Sequence, residues 1–155
     1  EIDKLLEIKK KEKIIELDDI EKYIGISKEF NNFELRKALG EKNYNKAFQI
    51  AQYFSENPNA NPIVVTISII FDFFNKLLIF HSNIELNDTK IASLLGINPF
   101  FIKEYKTAST NYNLKQVVRI ISILRDYDML SKGVGVKKAD SSLLKEMVVK
   151  IININ

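Results

Sequence analysis

The sequence predicts an all-α protein built as a helical bundle. Three observations carry that prediction. Apolar residues recur at a spacing near 3.6 along almost every segment, with no convincing strand-like alternation. Asn, Pro and Gly fall between those segments, where helices open and close. One run, PIVVTISIIFDFFNKLLIF, is apolar nearly all round, which marks a helix enclosed by other helices.

In chain order, Ile2 to Lys13 is rich in Lys and Glu and only weakly amphipathic. A short helix is predicted over about Asp18 to Tyr23, ended by Gly25. Asn32 is placed to cap FELRKAL, which Gly40 stops. In NYNKAFQIAQYF, Ala47, Ile50, Ala51 and Phe54 share one face. The polar loop SENPNANP follows, and Pro62 is read as the first residue of the long apolar helix, where its missing N–H costs nothing. Ser68, Asp72, Asn75 and Lys76 give that helix a narrow polar stripe, so it is expected at the centre of the core.

Near the C-terminus, LKQVVRIISILRDYDML carries two apolar stripes. One is Leu114, Val117, Val118, Ile121 and Leu124; the other is Ile120, Ile123, Tyr127 and Leu130. The remaining face holds Lys115, Arg119, Ser122 and Asp126. SLLKEMVVKIINI repeats the pattern, with Leu143, Met147 and Ile151 beside Leu144, Val148 and Ile152. Both helices present more apolar width than one neighbour needs. Each is therefore wedged between two helices, or turns one face to another subunit.

Composition sets the outer bounds. A chain of 155 residues is one ordinary domain's worth, burying roughly 70% of its unfolded surface. Its 46% hydrophobic and 28% charged content is that of a soluble globular protein. A net charge of +3 is weak support for a nucleic-acid partner. Without cysteine there is neither a disulfide framework nor thiolate chemistry, which fits a reducing cytoplasm. The chain begins with Glu1 and shows no signal peptide, which predicts a fragment of a longer protein. The apolar run approaches bilayer-spanning length. Asp72 lies near its middle, however, and a central Asp costs about 2.5–3.5 kcal/mol on insertion. A buried helix, with no membrane partner, is the expectation.

No catalytic residue, cofactor or metal site emerges. His81 is the single histidine. It lies near a helix end, where it is better placed to meet the last carbonyls than to act as ligand or base. GVGVKK, Gly133 to Lys138, lacks the full phosphate-loop spacing and follows a helix, not a strand; its glycines are expected to end that helix. Asp128 and Lys132 form an i, i+4 acid-before-base pair. Lys9, Lys10 and Lys11, in the run KKKEK, are candidate phosphate contacts.

The stretch KIASLLGINPFFIKEYKTAS, Lys90 to Ser109, has the outline of a helix-turn-helix. Asn98 caps the second helix, and Ile97 and Ile102 occupy its staple positions. A DNA-reading helix offers its N-terminal side chains to base edges. Here those are Pro99, Phe100 and Phe101, which present no donors. Phe100 and Phe101 are read as core or interface residues, and DNA binding through Lys90 to Ser109, with Lys103 and Lys106 as cations, is the alternative.

These segments together resemble the C-terminal part of the delta subunit of the bacterial DNA polymerase III clamp loader. EIDKLLEI and LDDIEKYIG look like the end of that family's small AAA+-like lid domain. FELRKALGEKNYNKAFQIAQYF follows with a short helix, a Gly-x-x-Asn turn and an Ala-containing helix in the family's order. IASLLGINPFFIKEY, ILRDYDMLSKGVG and LLKEMVVKI resemble its later helices. The resemblance implies residues 1–26 as the end of the lid and 27–155 as a helical collar domain for oligomerisation. It implies a non-catalytic part of the polymerase III holoenzyme, a nucleotidyltransferase, acting in DNA replication. Its partners would be delta-prime and gamma/tau-type subunits, the sliding clamp through an upstream region, and DNA in the full complex. Arg119, Arg125, Tyr127 and Lys132 are the expected partner contacts, since Arg and Tyr are enriched at interface hot spots.

Overall fold

The computed structural model describes residues 17–135 and 138–155. It is helical throughout those residues. The helices are α1 (Leu17–Glu29), α2 (Asn32–Gly40), α3 (Tyr44–Glu56), α4 (Ile63–Ser82), α5 (Asp88–Leu95), α6 (Ile102–Asn111), α7 (Leu114–Ser131) and α8 (Asp140–Ile152), with a 3₁₀ turn over Pro99–Phe101 before α6.

Asparagine opens most of these elements. The side-chain oxygens of Asn31, Asn43, Asn87, Asn98 and Asn113 each accept a backbone N–H from the first turn that follows. Asn113 completes a capping box: Gln116 Oε1 accepts the Asn113 N–H at 2.9 Å while Asn113 Oδ1 accepts the Gln116 N–H at 2.9 Å. Such a cap is worth about 1 kcal/mol.

Three boundaries differ from expectation. The cap of α2 is Asn31, whose backbone is extended (φ −141°, ψ 172°), not Asn32. Asn32 instead accepts the Thr66 hydroxyl at 2.9 Å, tying α2 to α4 and satisfying a fully buried side chain. Gly25 does not end α1, which runs on to Glu29; a glycine inside a helix weakens it without having to break it. Pro62 is the cap of α4, not its first residue. Its ψ of 130° is extended, and its carbonyl accepts the Val65 and Thr66 N–H groups.

α4 and α7 run antiparallel along one another, α3 packs along α8, and α7 and α8 also pack together. α2 touches α3, α4, α6 and α8. Ile67, Ile70, Phe73, Phe74 and Leu77 of α4 enter the core with Leu35, Leu39, Ile50 and Phe54 of the preceding helices. The expected polar stripe on α4 is incomplete, because Val64, Val65 and Ile79 are also exposed. By length and composition α4 could cross a bilayer; in this bundle its inner side is core.

α8 takes the wedged alternative: Leu143, Leu144, Met147, Val148, Ile151 and Ile152 are all buried. α7 does not. Its buried seam is Val117, Ile120, Leu124 and Tyr127, drawn from both predicted stripes, and Leu114 and Val118 are left outside.

Candidate functional site

On α7, Leu114, Val118, Arg125 and Met129 share one side, within about 60° of each other at 3.6 residues per turn. Leu114 is 47%, Val118 50% and Met129 51% exposed. Arg125 is exposed too, and it lines a groove of about 300 Å³ with Val64, Ser68 and Phe71 of α4 and with Asp128 and Lys132. Lys132 closes α7 and pairs with Asp128 at 2.9 Å, as the spacing predicts.

Of the four expected contacts, Arg125 and Lys132 therefore meet in this groove. The other two leave α7 elsewhere. Arg119 Nη1 donates to the main-chain oxygen of Asn155, next to Gln116 Nε2, which donates to Ile154 O at 3.2 Å. The two side chains hold the last residues of the chain against α7. Tyr127 is only 3% exposed, because its ring belongs to the seam with α8 and is taken up by the domain's own interior. Its hydroxyl donates to Glu146 Oε2 at 3.3 Å, and Lys150 Nζ lies 5.1 Å from its ring centroid. The hydrogen bond from Lys138 holds the Glu146 carboxyl below its usual value, with help from Tyr127. Lys9, Lys10 and Lys11 lie outside the described residues.

A second apolar surface surrounds the 3₁₀ turn. Phe33, Arg36, Ile97, Phe101 and Tyr105 line a notch of about 170 Å³. Phe100 is 65% and Phe101 39% exposed, so neither is a core residue. Asn98 and Pro99 open the turn that carries both rings, while Ile102 and Tyr105 are buried. The notch has a charged wall that the sequence reading missed: Arg36 Nη2 donates to Glu104 Oε2 at 3.0 Å. Phe33, out of phase with Leu35 and Leu39, was its available signal. The guanidinium carbon lies 5.2 Å from the Phe33 and 5.6 Å from the Phe73 ring centroids. Burial pushes the Tyr105 phenol up to about 12.

The helix-turn-helix outline is real as geometry. Gly96 ends α5 in the left-handed region at φ +67°. Its charged groups, however, are engaged by neighbours of the same protein. Glu104 is engaged by Arg36, Lys106 pairs with Asp88 at 2.8 Å, and Lys103 lies over the Phe100 ring at 4.2 Å.

His81 does not meet the end carbonyls of its own helix. A carbonyl can only accept, so its Nε2 carries the proton donated to Tyr112 O at 2.8 Å. GVG ends α7: the Gly133 and Val134 N–H groups return to Leu130 O and Met129 O, and Gly133 and Gly135 have positive φ. Val136 and Lys137 lie outside the described residues. Among the described residues, no three His, Asp or Glu side chains gather where they could hold a metal ion.

No curated protein and no solved structure matches the chain significantly. A family model does: that of the DNA polymerase III delta subunit, C-terminal domain, matches residues 29–151. This span runs from the end of α1 into α8 and takes in every helix that builds the core, and so the chain belongs to the DNA polymerase III delta subunit family, whose C-terminal domain it carries.

Proposed function

We propose that this chain is the collar-type assembly domain of a clamp-loader delta subunit, working by subunit contact and not by catalysis. The observation that carries the reading is the outer side of α7. A bundle that worked alone would gain by covering Leu114, Val118 and Met129; here all three are left exposed. Residues 1–26 are the end of a lid domain in this reading, and 27–155 the collar. The neighbours are delta-prime and gamma/tau-type subunits in the cytoplasm. The sliding clamp is gripped by modules upstream, and DNA is met in the full loader.

The test is a size measurement after mixing the full-length protein with the other loader subunits. A stoichiometric complex is expected. Failure to assemble, with the upstream modules present, overturns the proposal. Duplex binding through Lys90 to Ser109 remains the competing reading, favoured only by Phe100 standing exposed beside Lys103. It requires a steep salt slope that flattens on changing Lys103 and Lys106.

A further inference from the structure

The outer faces of α4 and α7 meet at the groove lined by Val64, Phe71 and Arg125, and its chemistry constrains what covers it. The apolar positions are Val64 and Phe71 on α4 and Leu114, Val118 and Met129 on α7. They run for about four turns, roughly 22 Å from Leu114 to Met129 at 1.5 Å per residue. That is the footprint of a helix lying along two others, as when an amphipathic helix enters a groove. The charges at the groove are Arg125 and Lys132 against Asp128. Asp128 is engaged by Lys132, and Asp72 across the seam by Lys76 at 2.7 Å. Among the described residues Arg125 has no such counter-ion, and it lines the groove.

From this we infer that the α4/α7 face receives an amphipathic helix from a neighbouring loader subunit. That helix carries apolar residues on its buried stripe and Asp or Glu along its edge. The inference rests on the assembly reading above and deepens it. The apolar stripe supplies the contact area, the groove between Val64 and Arg125 takes one anchoring side chain, and a carboxylate of the incoming helix meets the Arg125 guanidinium. Arg is suited to that role because its planar fork matches a carboxylate. A basic helix would meet the like charge of Arg125 at the groove.

The experiment measures assembly of the full-length protein with the other loader subunits, using Val118→Glu, Arg125→Glu and Arg125→Lys, with Phe100→Glu as a control on the other apolar surface. All three positions are exposed, so an unchanged Tm verifies folding. Val118→Glu and Arg125→Glu are expected to weaken assembly at least about tenfold, a loss of the size found at interface hot spots. Arg125→Lys should recover part of that loss, and Phe100→Glu should assemble normally. The wild-type affinity should also fall more steeply with salt than that of Arg125→Glu. Normal assembly of both Val118→Glu and Arg125→Glu overturns the inference while leaving the assembly reading intact. Equal loss with Phe100→Glu overturns it as well, by denying the face any specificity. A chain that dimerises alone through Val118, or binds duplex DNA through Arg125, gives the face to a different occupant and overturns it. If the wild-type protein does not assemble, the assembly reading itself has failed and the inference falls with it.

Discussion

Tyr112 is where four helices are tied together, and replacing it by Phe tests that joint. Its hydroxyl donates to Leu39 O at 2.6 Å, at the end of α2. Its own carbonyl accepts from His81 at the end of α4. Its ring stands edge-on to Phe74 with centroids 5.5 Å apart, and Lys42 Nζ lies 4.7 Å from its centroid. Beside it, Asn111 Nδ2 donates to Gly40 O at 2.9 Å. The residue is completely buried.

Tyr112→Phe deletes one buried hydrogen bond and keeps the ring. The penalty for the acceptor left behind is limited, because Leu39 O also accepts the Lys42 N–H at 3.1 Å. The cost is therefore that of the bond, about 1 kcal/mol, and not the larger penalty of an orphaned acceptor. For a chain of this size that lowers Tm by about 3 °C. Tyr112→Ala removes the ring as well and should cost about 3–5 kcal/mol, or roughly 10–15 °C. Thermal unfolding followed by circular dichroism measures both. A loss under about 1 °C for Tyr112→Phe would refute the hydroxyl bond, since its deletion is worth about three times that. Alkaline titration is the second readout. Burial raises the Tyr112 phenol well above its usual value of 10.0, and the Tyr105 phenol to about 12. Both raised groups stabilise the fold fully below the ordinary tyrosine value, and that stability is lost as pH rises through the interval between unfolded and folded values. Phenolate absorbance should therefore rise in two stages, with Tyr105 and Tyr112 last, and Tyr112→Phe should remove one late tyrosine.

Three other perturbations follow from particular contacts. The Arg36–Glu104 pair is mostly buried, at 16% and 17% exposure, and Arg36 Nε has no hydrogen-bond partner among the described residues. Glu104→Leu alone should cost about 2 kcal/mol by stranding the guanidinium, whereas Arg36→Met with Glu104→Leu should return to within about 1 kcal/mol of wild type; urea denaturation separates the two. Gly96→Ala meets no neighbouring atom but must hold φ +67°, so it should cost about 1 kcal/mol, and Gly96→Asn less; equal stability for all three would contradict a left-handed turn there. The Glu146 carboxyl is held below its usual value by Lys138. Its contribution is present above the ordinary carboxylate range and fades as pH falls through the lowered native value. Tm measured from pH 7 to pH 3 should accordingly fall less for Glu146→Gln than for the wild type.

Much of the bundle was legible because periodicity and capping agree. The α3 face of Ala47, Ile50, Ala51 and Phe54 is buried as read. Asn98, Gly96 and the Asp128–Lys132 pair also stand where their spacing puts them. What was not legible required knowing which helix lies next to which. α7 has enough apolar surface for two neighbours, and pattern alone could not say that Val117, Ile120, Leu124 and Tyr127 would be enclosed while Leu114 and Val118 stayed out. Tyr127 was read as a contact because tyrosines favour interfaces. The same amphipathic chemistry suits a buried ring with its hydroxyl on Glu146. Arg36 and Glu104 lie 68 residues apart, beyond the reach of any local rule. The Arg119 contact with Asn155 is missed for the same reason.

The abundance of asparagine acquires a structural cause once the caps are seen. Asparagine is a poor residue for a helix interior. Asn31, Asn43, Asn87, Asn98 and Asn113 each begin an element. Such residues act locally and leave exposed faces free to vary. The consequence for function is a division of labour along the chain. Residues at helix starts hold the architecture through bonds of their own first turn. The inner seam of α7 joins that helix to α4 and α8. Its outer side has neither task, so in the proposed assembly reading Leu114, Val118, Arg125 and Met129 are free to answer to a partner alone. Changes there can alter who binds without altering what folds, and this is the arrangement a subunit needs if its contacts are to diverge while its bundle persists.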